Sequence, residues 1–346
     1  MAGTELRLGL GTFGDVTRGP DGELLSDAQT IRHVVEQGVL ADELGLDAFI
    51  VGEHHRREFA VSSPEIVLAA IASRTRTILL GTGVTVLSSD DPVRVYERFA
   101  TLDALSSGRA EVILGRGSFT ESFPLFGYDL RDYEVLFDEK LDLFSRLMRE
   151  QPVTWQGTTR AALNEADVYP KTEGGLTAWV GVGGSPESVV RTARYGYGLM
   201  LAIIGGPAHR FRPFVDLFHR SLQEFGHDPR PVGVHSPGYV ADSDRQAWDE
   251  SYDHFAAMNN TIGRERGWPA YNRLRFQHDV GPEGSMYVGS PETVARKIVD
   301  TVRTLGLQRF DMKYSTGTLP HERMMRSIEL YGTVVAPMVR DMLAAR

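Results

Sequence analysis

The sequence predicts an α/β protein built as a (β/α)₈ TIM barrel, with insertions at its carboxyl-terminal face and residues 1–346 forming one domain. Three observations point there. Eight short β-like runs alternate with longer helical patterns from one end of the chain to the other. The 346 residues are a usual length for such a barrel. A content of 42% hydrophobic and 24% charged residues is that of a globular chain with a full core.

In chain order, strands are expected at 6–11 (LRLGLG), 47–52 (DAFIVG), 77–86 (TILLGTGVTV), 110–115 (AEVILG), 178–183, 198–204, 232–240 and 309–314 (RFDMKY). Helical periods follow at 27–44, 64–74, 92–106, 133–149, 186–195, 207–225, 243–265 and 320–345, with an additional one at 291–304. Residues in excess of a minimal barrel fall at 116–132, 152–177 and 259–290, where they are expected to build the mouth of the site. A doubly wound sheet is the competing fold, because Gly9 to Gly14 matches G-x-G-x-x-G. That fingerprint has to open a helix, whereas a turn cluster of Gly19, Pro20, Asp21 and Gly22 intervenes before any helical period begins.

Charge and composition exclude several function classes. The net charge of −9 argues against partners that present phosphate, so neither nucleic acid nor an anionic membrane is expected. With no cysteine there is no thiolate nucleophile, disulfide or cysteine-type metal site. No run reaches the ~18 apolar residues of a membrane span, and a cytoplasmic protein is expected.

Candidate chemistry gathers at strand ends. FIVGEHH puts Glu53, His54 and His55 at the carboxyl end of the second strand, where barrel enzymes carry catalytic groups. Strand alternation sends His54 to one face and Glu53 with His55 to the other. A polar packing network is the plain alternative. Adjacent histidines do not converge on one ion from a strand, so no metal is expected. Gly83, inside the third strand, points to a bulge, an unusual peptide or a close approach, unless it merely sits beside a bulky neighbour. Arg116, between Gly115 and Gly117, is suited either to grip a phosphate or to form a surface ion pair. In VGGSPESV, Gly184 and Ser185 precede a helix with Pro186 at its first position, a place where free backbone N–H groups can hold an anion. The same Ser-Pro-Glu start recurs at 290–292, so the signature alone marks a helix start.

Taken together, FIVGEHH, the run from Gly81 to Ser118 with LDALSSGR at its centre, SFPLFGYD, VGGSPES with RTARYG, and VGSPETVARKI resemble the flavin-dependent luciferase-like monooxygenase family. The resemblance implies FMN over the carboxyl face, its phosphate near Arg116, Gly184 and Ser185. It implies that Gly83 and Val84 abut the flavin ring, often through a bulge or a non-prolyl cis peptide. It also implies that His54 assists oxygen chemistry there. Where bacterial luciferase has a cysteine beside the flavin this chain has Gly115, so aldehyde oxidation with light emission does not transfer.

The function expected is that of an FMN-dependent monooxygenase. It would take reduced flavin from a separate reductase, use dioxygen, and oxygenate an apolar or aromatic organic substrate near Phe119, Phe123, Phe126, Trp268 and Tyr271. A deazaflavin-dependent hydride-transfer enzyme and a non-catalytic flavin-binding protein are the alternatives. Family resemblance also implies a homodimer through Ile66, Val67, Ala70 and Ile71. The glycine-rich 259–290 segment is expected to form a mobile lid. With His54 titrating near ~6.5, proton transfer near neutral pH is expected of it.

Overall fold

The computed structural model describes residues 6–345; the first five residues and the last of the expected 1–346 domain lie outside it. Eight strands form the barrel: β1 (Arg7–Thr12), β2 (Ala48–Val51), β3 (Leu79–Thr82), β4 (Ala110–Gly115), β5 (Thr177–Val182), β6 (Gly198–Ala202), β7 (Val232–Val240) and β8 (Arg309–Lys313). Every neighbouring pair is parallel. The sheet closes where β8 pairs with β1, Arg7 opposite Arg309 and Gly11 opposite Lys313. Helices α1 (Asp27–Glu43), α2 (Pro64–Ala72), α3 (Pro92–Ser106), α4 (Tyr133–Leu147), α5 (Pro186–Arg194), α6 (Arg212–Glu224), α7 (Asp244–Arg266) and α8 (Pro291–Leu305) return the chain between strands, and α9 (His321–Leu330) follows β8.

Local chemistry starts these helices where the sequence suggests. Ser185 and Ser290 both accept a hydrogen bond from the backbone N–H three residues on, with proline following at the first turn of α5 and α8. The dinucleotide-like glycines lie in β1 and the turn behind it, and α1 begins only at Asp27. Within the barrel, glycine faces bulk. A Cβ on Gly11 would stand 2.6 Å from His235 Nε2, and one on Gly83 would stand 2.6 Å from Ile50 Cδ1. Ile50, Ile113, Trp179 and Met200 fill the interior as a layer of their own, while the larger core lies between sheet and helices. Deeper still, buried Arg309 bonds Glu111 and, at 2.8 Å, Asp311. Such a cluster costs desolvation and tolerates the loss of no single partner.

Two expectations change. The 259–290 segment is not a loop: α7 runs to Arg266, a helix covers Arg273–Val280, and Tyr287–Gly289 pairs in parallel with the end of β7. Gly263 is accommodated inside α7 with Trp268 packed against it, and the helix stops at Gly267, whose φ of 66° suits its C-cap position. Of the residues expected at a dimer face, Val67 and Ile71 are buried against their own barrel. Ile66 is 72% exposed and Ala70 is also exposed. The other insertions contain a helix at Ser122–Leu125 and an antiparallel ribbon of Val153–Trp155 with Leu163–Ala166. Among the described residues, no helix is long and apolar enough to cross a membrane.

Candidate active site

The carboxyl ends of the strands converge around Val84. The Gly83–Val84 peptide is cis, and both residues are half-buried in a segment that is otherwise buried. The Val84 side chain turns toward β4 and β5, where a Cβ on Gly115 would come within 2.5 Å of it and one on Gly181 within 2.8 Å. On the other side, the Val84 carbonyl accepts a hydrogen bond from the Glu53 backbone N–H at 3.4 Å. Val84 therefore touches the residue before Arg116, a residue near Gly183, and the start of the EHH segment.

That segment is not regular strand, because β2 ends at Val51. Glu53 reaches across to accept from the Val86 N–H at 2.8 Å and pairs with His55 Nε2 at 2.9 Å. His54 enters a box of aromatic rings. Phe59 stacks on it at 4.5 Å between centroids, while Phe13 and Phe119 stand edge-on at 4.7 and 5.0 Å. Burial pushes its imidazole down to about 3, with Asp15 opposing the shift and Lys313, His55 and Arg56 reinforcing it. The expected titration near ~6.5 is thus corrected: removal from water makes His54 a neutral ring at physiological pH.

Sequence reasoning missed the polar wall beside this box. Asp15 accepts from Lys313 Nζ at 3.1 Å, from Ser315 Oγ at 2.5 Å and from the Gly317 N–H at 2.9 Å. The Lys313 ammonium stands 4.6 Å from the Phe13 ring centre. His235 lies against Gly11, its Nε2 buried without a partner, and burial pushes it down to about 3 as well. A lysine at the end of the last strand, Arg309–Lys313, was the available signal for this wall; Asp15 was hidden in what read as a turn.

Arg116 sits at the other side. Its guanidinium pairs with Glu134 and lies 5.2 Å from the Tyr133 ring centre. Glu134 also accepts from Arg191 Nη2 at 3.1 Å, and Arg191 Nε bonds Asp138 at 2.5 Å. Ser185 caps α5 and donates its hydroxyl proton to Glu187 at 2.7 Å. That hydrogen bond is the first reason the Glu187 carboxyl lies below its ordinary value, and the charges of Arg116 and Arg191 add to it. No atom would meet a Cβ on Gly183 within 4 Å, and Gly184 has a φ of 117°, so backbone at this helix start is open to a ligand. Arg191 and Glu134 were not singled out from the sequence, because a helical arginine and an acid at a helix start look like ordinary solvated charges.

The mouth is covered from one side. Arg56 forms a two-pronged pair with Glu265 at 2.6 and 2.7 Å, and Arg266 donates to the Ser118 carbonyl at 2.8 Å. Between them the two guanidiniums hold Phe119, at 5.0 and 4.7 Å from its ring centre. The end of α7 is thereby tied over His54. Of the other aromatic residues expected to line a substrate space, Trp268 meets Arg266, Phe126 meets His55, and Phe123 and Tyr271 are buried in packing.

Comparison with known proteins identifies the fold and the family. The chain is 28% identical, over 321 residues, to a 4-hydroxyprotoasukamycin monooxygenase of Streptomyces nodosus subsp. asukaensis, covering 86% of this chain and 83% of that one. Its fold is similar to that of the monooxygenase RslO1 from Streptomyces bottropensis, with a TM-score of 0.83 at 24% identity over 96% of this chain and 99% of that chain. It is also similar to the oxygenating constituent of 3,6-diketocamphane monooxygenase from Pseudomonas putida, solved in complex with FMN, with a TM-score of 0.76 at 18% identity over 96% and 98% of the two chains. The family model for luciferase-like monooxygenases matches residues 12–309. The chain is an oxidoreductase and belongs to the luciferase-like monooxygenase family.

Proposed function

We propose that this chain is the oxygenating component of a two-component, FMN-dependent monooxygenase that acts on an apolar or aromatic organic molecule. The observation that carries the reading is the position of Val84. It forms a half-buried apolar floor between the aromatic box of His54 and the glycine-rich approach to α5, next to Gly115 and Arg116. A flavin mononucleotide has matching parts, a flat apolar ring system and a phosphate at the end of a chain. Open backbone at Gly183 and Gly184, the Ser185 helix start and Arg116 suit the phosphate; Gly83 and Val84 suit the ring.

When bound, the reduced flavin supplies the electrons that activate dioxygen. The work of the chain is to bind, orient and exclude water. Neutral His54 keeps one N–H to donate and one ring nitrogen to accept, so it can hold a proton at one nitrogen beside the reacting atoms. Phe13, Phe59 and Phe119 cover much of its ring, leaving it half-buried. The ties from Arg56 to Glu265 and from Arg266 to Ser118 hold that cover in place.

A separate reductase is the proposed source of the electrons, a reading supported by the lack of a dinucleotide-type strand–turn–helix around Gly9 to Gly14. A cytoplasmic homodimer completes the reading, with Ile66 and Ala70 left free for a partner. The test supplies chemically reduced FMN and follows dioxygen consumption and substrate oxygenation. Turnover with reduced FMN, and none with NADH and FMN alone, is the expected result. Direct NADH oxidation, or turnover only with a deazaflavin, would overturn it.

A further inference from the structure

We propose that Glu134 is a built-in competitor for the flavin phosphate: it occupies the anion site between Arg116 and Arg191, and the phosphate must displace it to bind. This rests on the FMN reading above and adds Arg191 as the second arginine of the site.

The mobility of the three groups differs in the required sense. The side chain of Arg191 is 13% exposed and anchored through Nε to Asp138, and that of Arg116 is 26% exposed. Glu134, at 59% exposed, is the one that can swing into water at little cost. It lies in the first turn of α4, where a displaced carboxylate is still favoured by the helix dipole.

Donors outnumber what Glu134 can satisfy. Its two oxygens are committed one to each arginine, yet Arg191 Nη1 is buried with no partner, as is the Ser188 hydroxyl in the first turn of α5. A buried donor without a partner is costly. A phosphate monoester brings three acceptor oxygens and close to two negative charges where the carboxylate brings two oxygens and one charge. The site therefore fits a phosphate better than the group it holds.

Displacement has a functional consequence. Each binding event must break two ion pairs to Glu134 before the phosphate pairs with the arginines, so the net gain is reduced and the flavin exchanges readily. That suits a cofactor that arrives reduced and leaves oxidised.

The test measures dissociation constants for FMN and for riboflavin, which lacks the phosphate, by flavin fluorescence with the full chain. Glu134→Gln and Glu134→Ala should each bind FMN roughly three- to tenfold more tightly than wild type, with riboflavin unchanged. Arg191→Ala should loosen FMN by roughly ten- to a hundredfold and leave riboflavin unchanged. Equal FMN constants for wild type and both Glu134 variants would overturn the competition while leaving the flavin reading intact. An Arg191→Ala protein that binds FMN as wild type does would remove Arg191 from the site. If wild type binds neither flavin, oxidised or chemically reduced under anaerobic conditions, the flavin reading itself fails and this proposal with it.

Discussion

Val84 and Gly115 are locked together: the valine occupies the space that any side chain at position 115 would need, with only 2.5 Å between its Cγ2 and an added Cβ. The floor of the site is thus shaped by a neighbour on another strand. Overpacking of this kind typically costs ~1–3 kcal/mol. Gly115→Ala should lower stability in urea by that amount and weaken FMN binding as Val84 is pushed aside. Val84→Ala in the same chain should recover most of the stability, a coupling expected of residues in contact. Additive losses in the double variant would show that the two positions act separately.

His54 is neutral in its aromatic box, which changes what its removal should do to the pH profile. A ring held neutral can act beside the reacting atoms only as a hydrogen-bond partner, worth ~0.5–1.5 kcal/mol, so His54→Ala should reduce product formation by roughly two- to tenfold with little change in FMN affinity. Because burial holds the ring down at about 3, no activity limb near pH 6.5 should belong to it. Rates of product formation between pH 5.5 and 8 check this. A wild-type limb near 6.5 that vanishes in the variant would contradict the neutral assignment.

Burial of His54 and His235 also makes the fold sensitive to mild acid. Both are held at about 3, below the ordinary 6.5, so the unfolded chain binds protons that the folded chain refuses. Stability is full above pH 6.5 and falls as the pH drops toward 3, by at most about 1.4 kcal/mol per pH unit for each histidine. Asp311 acts oppositely: burial raises it to about 6, so its protonation stabilises the fold between pH 6 and its ordinary 3.8. Urea unfolding at pH 7.5, 6.5 and 5.5 should show the decline, and His235→Gln should flatten it. An unchanged slope in that variant would remove His235 from the account.

The pair of Arg56 with Glu265 ties the end of α7 over one side of the mouth, so loosening it should let water in and reduced oxygen products escape. Arg56→Lys keeps the charge but loses the two-pronged geometry. Hydrogen peroxide released per dioxygen consumed should rise several-fold while FMN binding stays the same. An unchanged ratio would mean that the end of α7 does not seal the site.

Light scattering at micromolar concentration should give the mass of a homodimer, and Ile66→Asp should shift it toward the monomer. A monomeric wild type would overturn the assembly. Two of the four residues the sequence offered for that face are core, because a helix on a barrel buries the face that its period marks as apolar against the sheet first.

The barrel, its strand ends and its helix starts were legible in the sequence because they depend on near neighbours. A period of two or of 3.6 residues, a capping serine and a following proline are all written within a few positions. On the same ground His54 and Arg116 were legible at strand ends and Gly184 with Ser185 at a helix start, whereas Gly83, read as lying inside the third strand, follows its end at Thr82. The helix at Arg273–Val280 was obscured by glycines and prolines on both sides of it, since punctuation outweighs a short period in a local reading.

Pairing and burial are different in kind. Arg56 meets Glu265 across 209 positions and Lys313 meets Asp15 across 298, so neither partner carries a mark of the other. Glu134, Arg116 and Arg191 form one site only because α4, the end of β4 and α5 are brought side by side. The charge state of His54 belongs to the same class. Its imidazole is an ordinary titrating group until Phe13, Phe59 and Phe119 arrive from three separate segments and remove the water that would stabilise the proton.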